Sequence, residues 1–154
     1  MRKCLALCAF LLAAVSITAQ QLPPSAQFSN LEDGVAIEGY DPVAYFTEDS
    51  AVKGEERYAA EHEGVSYHFA SEANREIFLA DPARYVPAYG GWCAWATARG
   101  SLADINPEAF VVHDGVLYLN FSRSINRRFR RSLEESIEQA EANWPRLATE
   151  AASR

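Results

Sequence analysis

Val65-Ser66-Tyr67-His68-Phe69-Ala70-Ser71-Glu72-Ala73-Asn74-Arg75-Glu76-Ile77-Phe78 decides the fold. Its first half alternates apolar and polar residues, as a half-buried strand does, and its second half does not. Ser71 stands where the period changes and is a good helix N-cap, with the acidic Glu72 in the first turn. The helix runs to about Ala80 and stops before Asp81-Pro82. Ala73, Ile77 and Ala80 give it an apolar stripe, with Phe78 beside it. Upstream, Glu63-Gly64 reads as the turn of a hairpin spanning Arg57 to Ala70. With a two-residue loop, Tyr58, Ala60, Val65, Tyr67 and Phe69 share the core face. Arg57, Glu61, Ser66 and His68 share the polar face.

A second hairpin turns at Asp114-Gly115, a strong two-residue turn signal. Phe110, Val112, Leu117, Leu119 and Phe121 fall on one face, and Val111, His113, Val116 and Tyr118 on the other. A long helix is expected from about Ser124 to Asn143, with Ile125, Phe129, Leu133, Ile137 and Ala140 as its buried stripe. Its charges run against the helix dipole: Arg123, Arg127, Arg128, Arg130 and Arg131 come early, Glu134, Glu135, Glu138 and Glu141 late. Pairs Arg130–Glu134 and Arg131–Glu135 offset some of this, by about 0.2–0.5 kcal/mol each. The arginine-rich start reads either as a solvated face or as a docking patch for an acidic protein partner or anionic lipid. The fold class is α+β. We expect a small antiparallel sheet of two hairpins, a short helix after the first, a short Cys-bearing helix and a long C-terminal helix.

The start of the 154-residue chain has the layout of a secretory signal peptide. Met1-Arg2-Lys3 is basic, Cys4 to Val15 is apolar, and Ala19 precedes the expected cut. The apolar run is short for a membrane span, and nothing after Ala19 could form one. Residues 1–19 are therefore read as the signal, 20–34 as a flexible lead-in, 35–145 as one folded domain and 146–154 as a frayed tail. The expected compartment is the periplasm. About 135 residues remain after cleavage, enough for one domain that buries roughly two-thirds of its unfolded surface. Loss of Arg2 and Lys3 takes the formal charge from -7 to -9, which argues against nucleic-acid binding. The mature part has no methionine, so a Met-rich copper(I) site is excluded.

Cys4 and Cys8 would leave with the signal, and Cys93 would remain alone. An unpaired cysteine in an exported protein suggests a metal ligand, a reactive thiol or a buried hydrophobe. Gly90-Gly91 marks a break, and the Ala-rich sequence to Arg99-Gly100 reads as a short helix with Cys93 in its first turn. Unpaired N–H groups there favour thiolate over thiol. Packing under Trp92 and Trp95 is the alternative. A metal site would need Cys93 joined by histidine or carboxylate. His68, beside a helix start, and Asp41 are the candidates, although Asp before Pro is also ordinary turn chemistry.

Val35-Ala36-Ile37-Glu38-Gly39-Tyr40-Asp41-Pro42-Val43-Ala44-Tyr45-Phe46, the strand-to-helix stretch quoted first, Asp81-Pro82-Ala83-Arg84-Tyr85 and Tyr89-Gly90-Gly91-Trp92-Cys93-Ala94 together resemble one family. This is the exported YHS-domain proteins of bacteria, whose Tyr-His-Ser signature Tyr67, His68 and Ser71 match. The resemblance runs from about Val35 to Pro145. Some members of that subfamily carry selenocysteine at the position matching Cys93, which implies chemistry at this sulfur. The metal-binding YHS modules of metal-transporting ATPases place cysteines at positions matching Ala44, Ala70 and Asn74, so their cysteine cluster is absent here. Three functions follow as expectations. The first is a binding protein for a thiophilic metal, copper foremost, or another soft ligand, through Cys93 with His68 and Asp41. The second is a thiol-based redox enzyme or sensor, and the third is a structural or interaction module with an inert Cys93.

Overall fold

Glu63 and Gly64 both take positive φ, 51° and 78°, as do Asp114 and Gly115 at 49° and 76°. Two positive φ values in a row make the tight turn whose twist matches paired strands, so both hairpins form where the sequence places them. The computed structural model describes residues 25–153, and the signal-peptide expectation lies outside them. In chain order the elements are α1 (Ser25–Phe28), β1 (Leu31–Glu32), β2 (Val35–Ala36), α2 (Ala44–Thr47), β3 (Glu55–His62), β4 (Val65–Phe69) and α3 (Glu72–Ala80). There follow α4 (Ala94–Ala98), β5 (Asn106–His113), β6 (Val116–Asn120), α5 (Arg123–Arg131) and α6 (Leu133–Ala151). The protein is α+β, with a long C-terminal helix. No helix among the described residues is long and apolar enough to cross a membrane.

The two hairpins do not join into one antiparallel sheet. One sheet has the order β1-β2-β4-β3, with β2 parallel to β4, and β5-β6 is a separate ribbon. The reason is that the second hairpin is apolar on both faces. Leu117 and Leu119 enter one core with Val65, Tyr67, Phe69, Phe78 and Cys93. Val111 and Tyr118 enter another with Tyr89, Ala94, Phe129 and Ala140. Phe121, expected on the core face, is 57 % exposed because the strand has ended at Asn120.

Ser71 caps α3 as expected, accepting the Asn74 N–H at 3.1 Å. The helix is rotated from the expected stripe. Phe78 is its buried residue, and Ile77 is 40 % exposed. Asn74, one turn before Phe78, is held inward by the Asp41 carboxylate at 2.7 Å, and that polar anchor sets the phase.

The expected single C-terminal helix is two helices, broken at Ser132 (φ -129°, ψ 45°). The break accounts for the charge order. Arg128, Arg130 and Arg131 occupy the last turn of α5, and Glu134 and Glu135 the first turn of α6. Each group sits at the dipole end that favours it. The Arg130–Glu134 and Arg131–Glu135 pairs do not form. Glu134 lies 2.9 Å from His113 Nε2, and Arg130 donates to the Phe110 carbonyl at 3.1 Å. The tail is not frayed from residue 146. α6 runs through Pro145 to Ala151 and buries Leu147 and Ala148 completely. The lead-in is likewise docked from Ser25 onward: the Trp92 indole donates to the Phe28 carbonyl at 2.7 Å, and the Phe28 ring meets Trp144.

Candidate functional site around Cys93

Cys93 is the N-cap of α4 rather than a first-turn residue, with extended backbone (φ -58°, ψ 114°). Its N–H donates to Ala103 at 3.0 Å, and its carbonyl accepts the Thr97 N–H at 2.9 Å. These bonds anchor the start of the helix and turn the side chain inward. Cys93 is a free cysteine and only 1 % exposed.

The thiol does not sit in hydrocarbon alone. Sγ accepts the Phe121 N–H at 3.3 Å and donates to Asn120 Oδ1 at 3.8 Å. That same oxygen accepts the Trp95 N–H at 3.1 Å, so Asn120 supplies the N-terminal cap that Cys93 does not. The Asn120 amide donates to Asn126 Oδ1 at 3.0 Å, and Asn126 Nδ2 donates to the Phe110 carbonyl at 2.9 Å. A continuous polar chain thus links α4, β6, α5 and β5 through the sulfur. Asn120 is completely buried, and every member it touches is satisfied. Asn120 and Asn126 went unnoticed in the sequence. Their only signal is a polar residue closing an otherwise apolar strand.

Asp41 is elsewhere and fully engaged. Its completely buried carboxylate accepts Val43 N–H at 2.8 Å and Ala44 N–H at 3.4 Å on Oδ1. On Oδ2 it accepts Ala70 N–H at 2.8 Å and Asn74 Nδ2 at 2.7 Å. Four donors fill its acceptor capacity. The group clamps the start of α2 to the β4–α3 junction.

His68 lies on the polar face of its strand, half-buried, paired with Ala59 of β3. Its backbone passes so close to Gly54 that a Cβ there would lie 2.5 Å from the His68 carbonyl carbon. Its ring borders Gly39, beside the Lys53 ammonium that donates to the Glu38 carbonyl. The hydrogen-bond partners of the Cys93 thiol, Asn120 and Phe121, are not those of the Asp41 carboxylate. No group of three or more His, Cys, Asp or Glu among the described residues could hold a metal ion.

The arginine-rich start of α5 keeps Arg127 and Arg128 exposed, while Arg123 pairs with Glu108 at 2.5 Å. Tyr45, Tyr67, Tyr89 and Tyr118 are buried. Burial is the first cause that raises the phenol pKa of Tyr45, Tyr67, Tyr89 and Tyr118. Tyr45 donates its hydroxyl to the Pro107 carbonyl at 3.0 Å.

No curated protein and no solved structure matches the chain. One family model does, and the match is narrower than the resemblance described above. It takes in β3, β4, α3 and His68, and stops four residues before Cys93. The chain carries a YHS domain at residues 43–89.

Proposed function

We propose that the protein is an exported YHS-domain binding module in which Cys93 is a buried fastening thiol. One observation carries this reading: a sulfur 1 % exposed, with both its donor and its acceptor capacity used inside the protein. A redox sensor needs its thiol reachable, and Cys93 is covered. The thiol ties the end of the YHS unit to the C-terminal half. Export rests on the basic start, the apolar run Cys4–Val15 and Ala19 before the cut, which put the mature N-terminus at Gln20 and the protein in the periplasm.

A second reading has a specific observation in its favour. The Phe121 N–H donates to Sγ at 3.3 Å, so the sulfur already serves as an acceptor, and sulfur is the ligand a thiophilic metal such as copper takes. On that reading Cys93 is the first ligand, and His68 and Asp41 have to leave their present surroundings to join it.

One set of measurements separates the readings: alkylation of Cys93 in the native mature protein, beside copper and zinc titrations of wild type and Cys93→Ala. The fastening role predicts slow alkylation until the protein unfolds and no uptake that depends on Cys93. Copper binding lost in Cys93→Ala and weakened in His68→Ala would replace it with the metal reading. Fast alkylation at neutral pH without metal uptake would replace it with the redox reading.

A further inference from the structure

A cavity of about 200 Å³ opens where α1, the β3–β4 turn, the segment Val86–Gly90 and α6 meet. Only some of its wall belongs to the YHS domain. Tyr67 and Tyr89 come from the matched region, Phe28 from before it and Trp144 from the C-terminal helix. The Phe28 and Trp144 rings meet at 85° with centroids 5.5 Å apart, so they form a corner rather than a stack. Tyr89 adds a third ring, 5.8 Å from Trp144 and inclined at 58°. The His62 ring is held edge-on to Phe78 on the remaining side.

Two features mark this space as more than a packing gap. Tyr67 and Tyr89 are 5 % and 8 % exposed, and what each exposes lines this cavity. Tyr89 also holds a positive φ of 54°, a costly conformation for an aromatic residue. Gly90 follows it at φ 59°, and a Cβ on Gly90 would lie 3.0 Å from Phe28. The backbone is bent here so that Phe28 and Tyr89 can face one space.

The charge of the wall is one-sided. Glu63 lines it, held by the Ser25 hydroxyl, and no lysine or arginine does. Aromatic rings with one carboxylate suit a cation whose own surface is apolar. Such an ion gives up little hydration and is attracted by the ring faces.

We propose that this cavity binds a small organic cation of the alkylammonium class. The ammonium head would lie among Phe28, Tyr67, Tyr89 and Trp144, near Glu63, and a polar substituent would meet the phenol groups of Tyr67 and Tyr89. This rests on the binding-module reading of the protein and names its ligand.

The test is calorimetric titration of the full mature chain with choline, tetramethylammonium and the neutral isostere 3,3-dimethylbutan-1-ol. Both cations should bind, and the isostere should bind about ten-fold more weakly or not at all. Glu63→Gln should weaken both cations, and Tyr67→Phe should weaken choline while sparing tetramethylammonium. Thermal melts of each variant would show that it is folded. Equal binding of choline and its isostere, or no binding of either cation by folded wild type, would overturn the assignment. Either result with Cys93 still shielded and indifferent to copper would leave the binding-module reading standing. Cys93-dependent copper uptake would remove that reading separately.

Discussion

Asn120 Oδ1 lies 3.8 Å from Cys93 Sγ and 3.1 Å from the Trp95 nitrogen, so one carboxamide both holds the thiol and caps its helix. Asn120→Ala removes both contacts and leaves the part-buried Asn126 amide oxygen without its donor. The expected loss is about 1–3 kcal/mol of folding stability, with faster alkylation of Cys93. Chemical denaturation and thiol-labelling rates measure the two effects. Unchanged labelling in a destabilised variant would mean that Asn120 does not position the sulfur.

Asp41→Asn keeps the shape of the clamp but turns one acceptor into a donor. Asn74 can flip its amide to adapt, whereas the Ala70 and Val43 backbone groups cannot. The variant should lose about 1–3 kcal/mol, seen as a lower denaturation midpoint with unchanged slope. A metal ligand would instead show its effect only when metal is present.

Arg131→Glu places an anion in the last turn of α5, at the negative end of its dipole. The loss should be about 0.3–1 kcal/mol at low ionic strength and should shrink in salt. A salt-independent change would point to packing in place of the dipole.

Leu147→Ala tests the end of α6. Leu147 is completely buried. Truncating it should cost about 2–5 kcal/mol by equilibrium unfolding. A tail frayed from residue 146 would show no loss.

Alkali should unfold the protein ahead of any backbone chemistry. Burial raises the phenol pKa of Tyr45, Tyr67, Tyr89 and Tyr118 in the fold, while in the unfolded chain phenols ionise near about 10. Above that value the unfolded state binds fewer protons, so stability is intact below about pH 10 and falls as pH rises further. Tyr67→Phe should lessen the slope. Urea midpoints between pH 9 and 11, with phenolate absorbance, would check this.

The parts of the fold governed by local chemistry were legible in the sequence. Glu63-Gly64, Asp114-Gly115 and the Ser71 cap act within a few residues of themselves, and each element formed where they placed it. Contacts made across the chain were not. The phase of α3 depends on Asp41, thirty-three positions before Asn74. The docking of Phe28 on Trp144 gives order to two segments that look polar and unstructured by composition. The charge order around Ser132 is visible in the sequence; it opposes the dipole of one helix and suits the dipoles of two. For the site, Cys93 was conspicuous in the sequence. Its partners were not, because an asparagine at a strand end carries no pattern of its own.

The β5–β6 ribbon serves as the shared wall of both cores. If either core melts, the other loses its inner surface, so the halves of the molecule cannot come apart in turn. The amides of Leu117, Tyr118 and Leu119 should then exchange with solvent only through opening of the whole protein, as a single cooperative unit. A YHS domain that is marginal by size alone gains in this way the persistence of a chain more than twice its length.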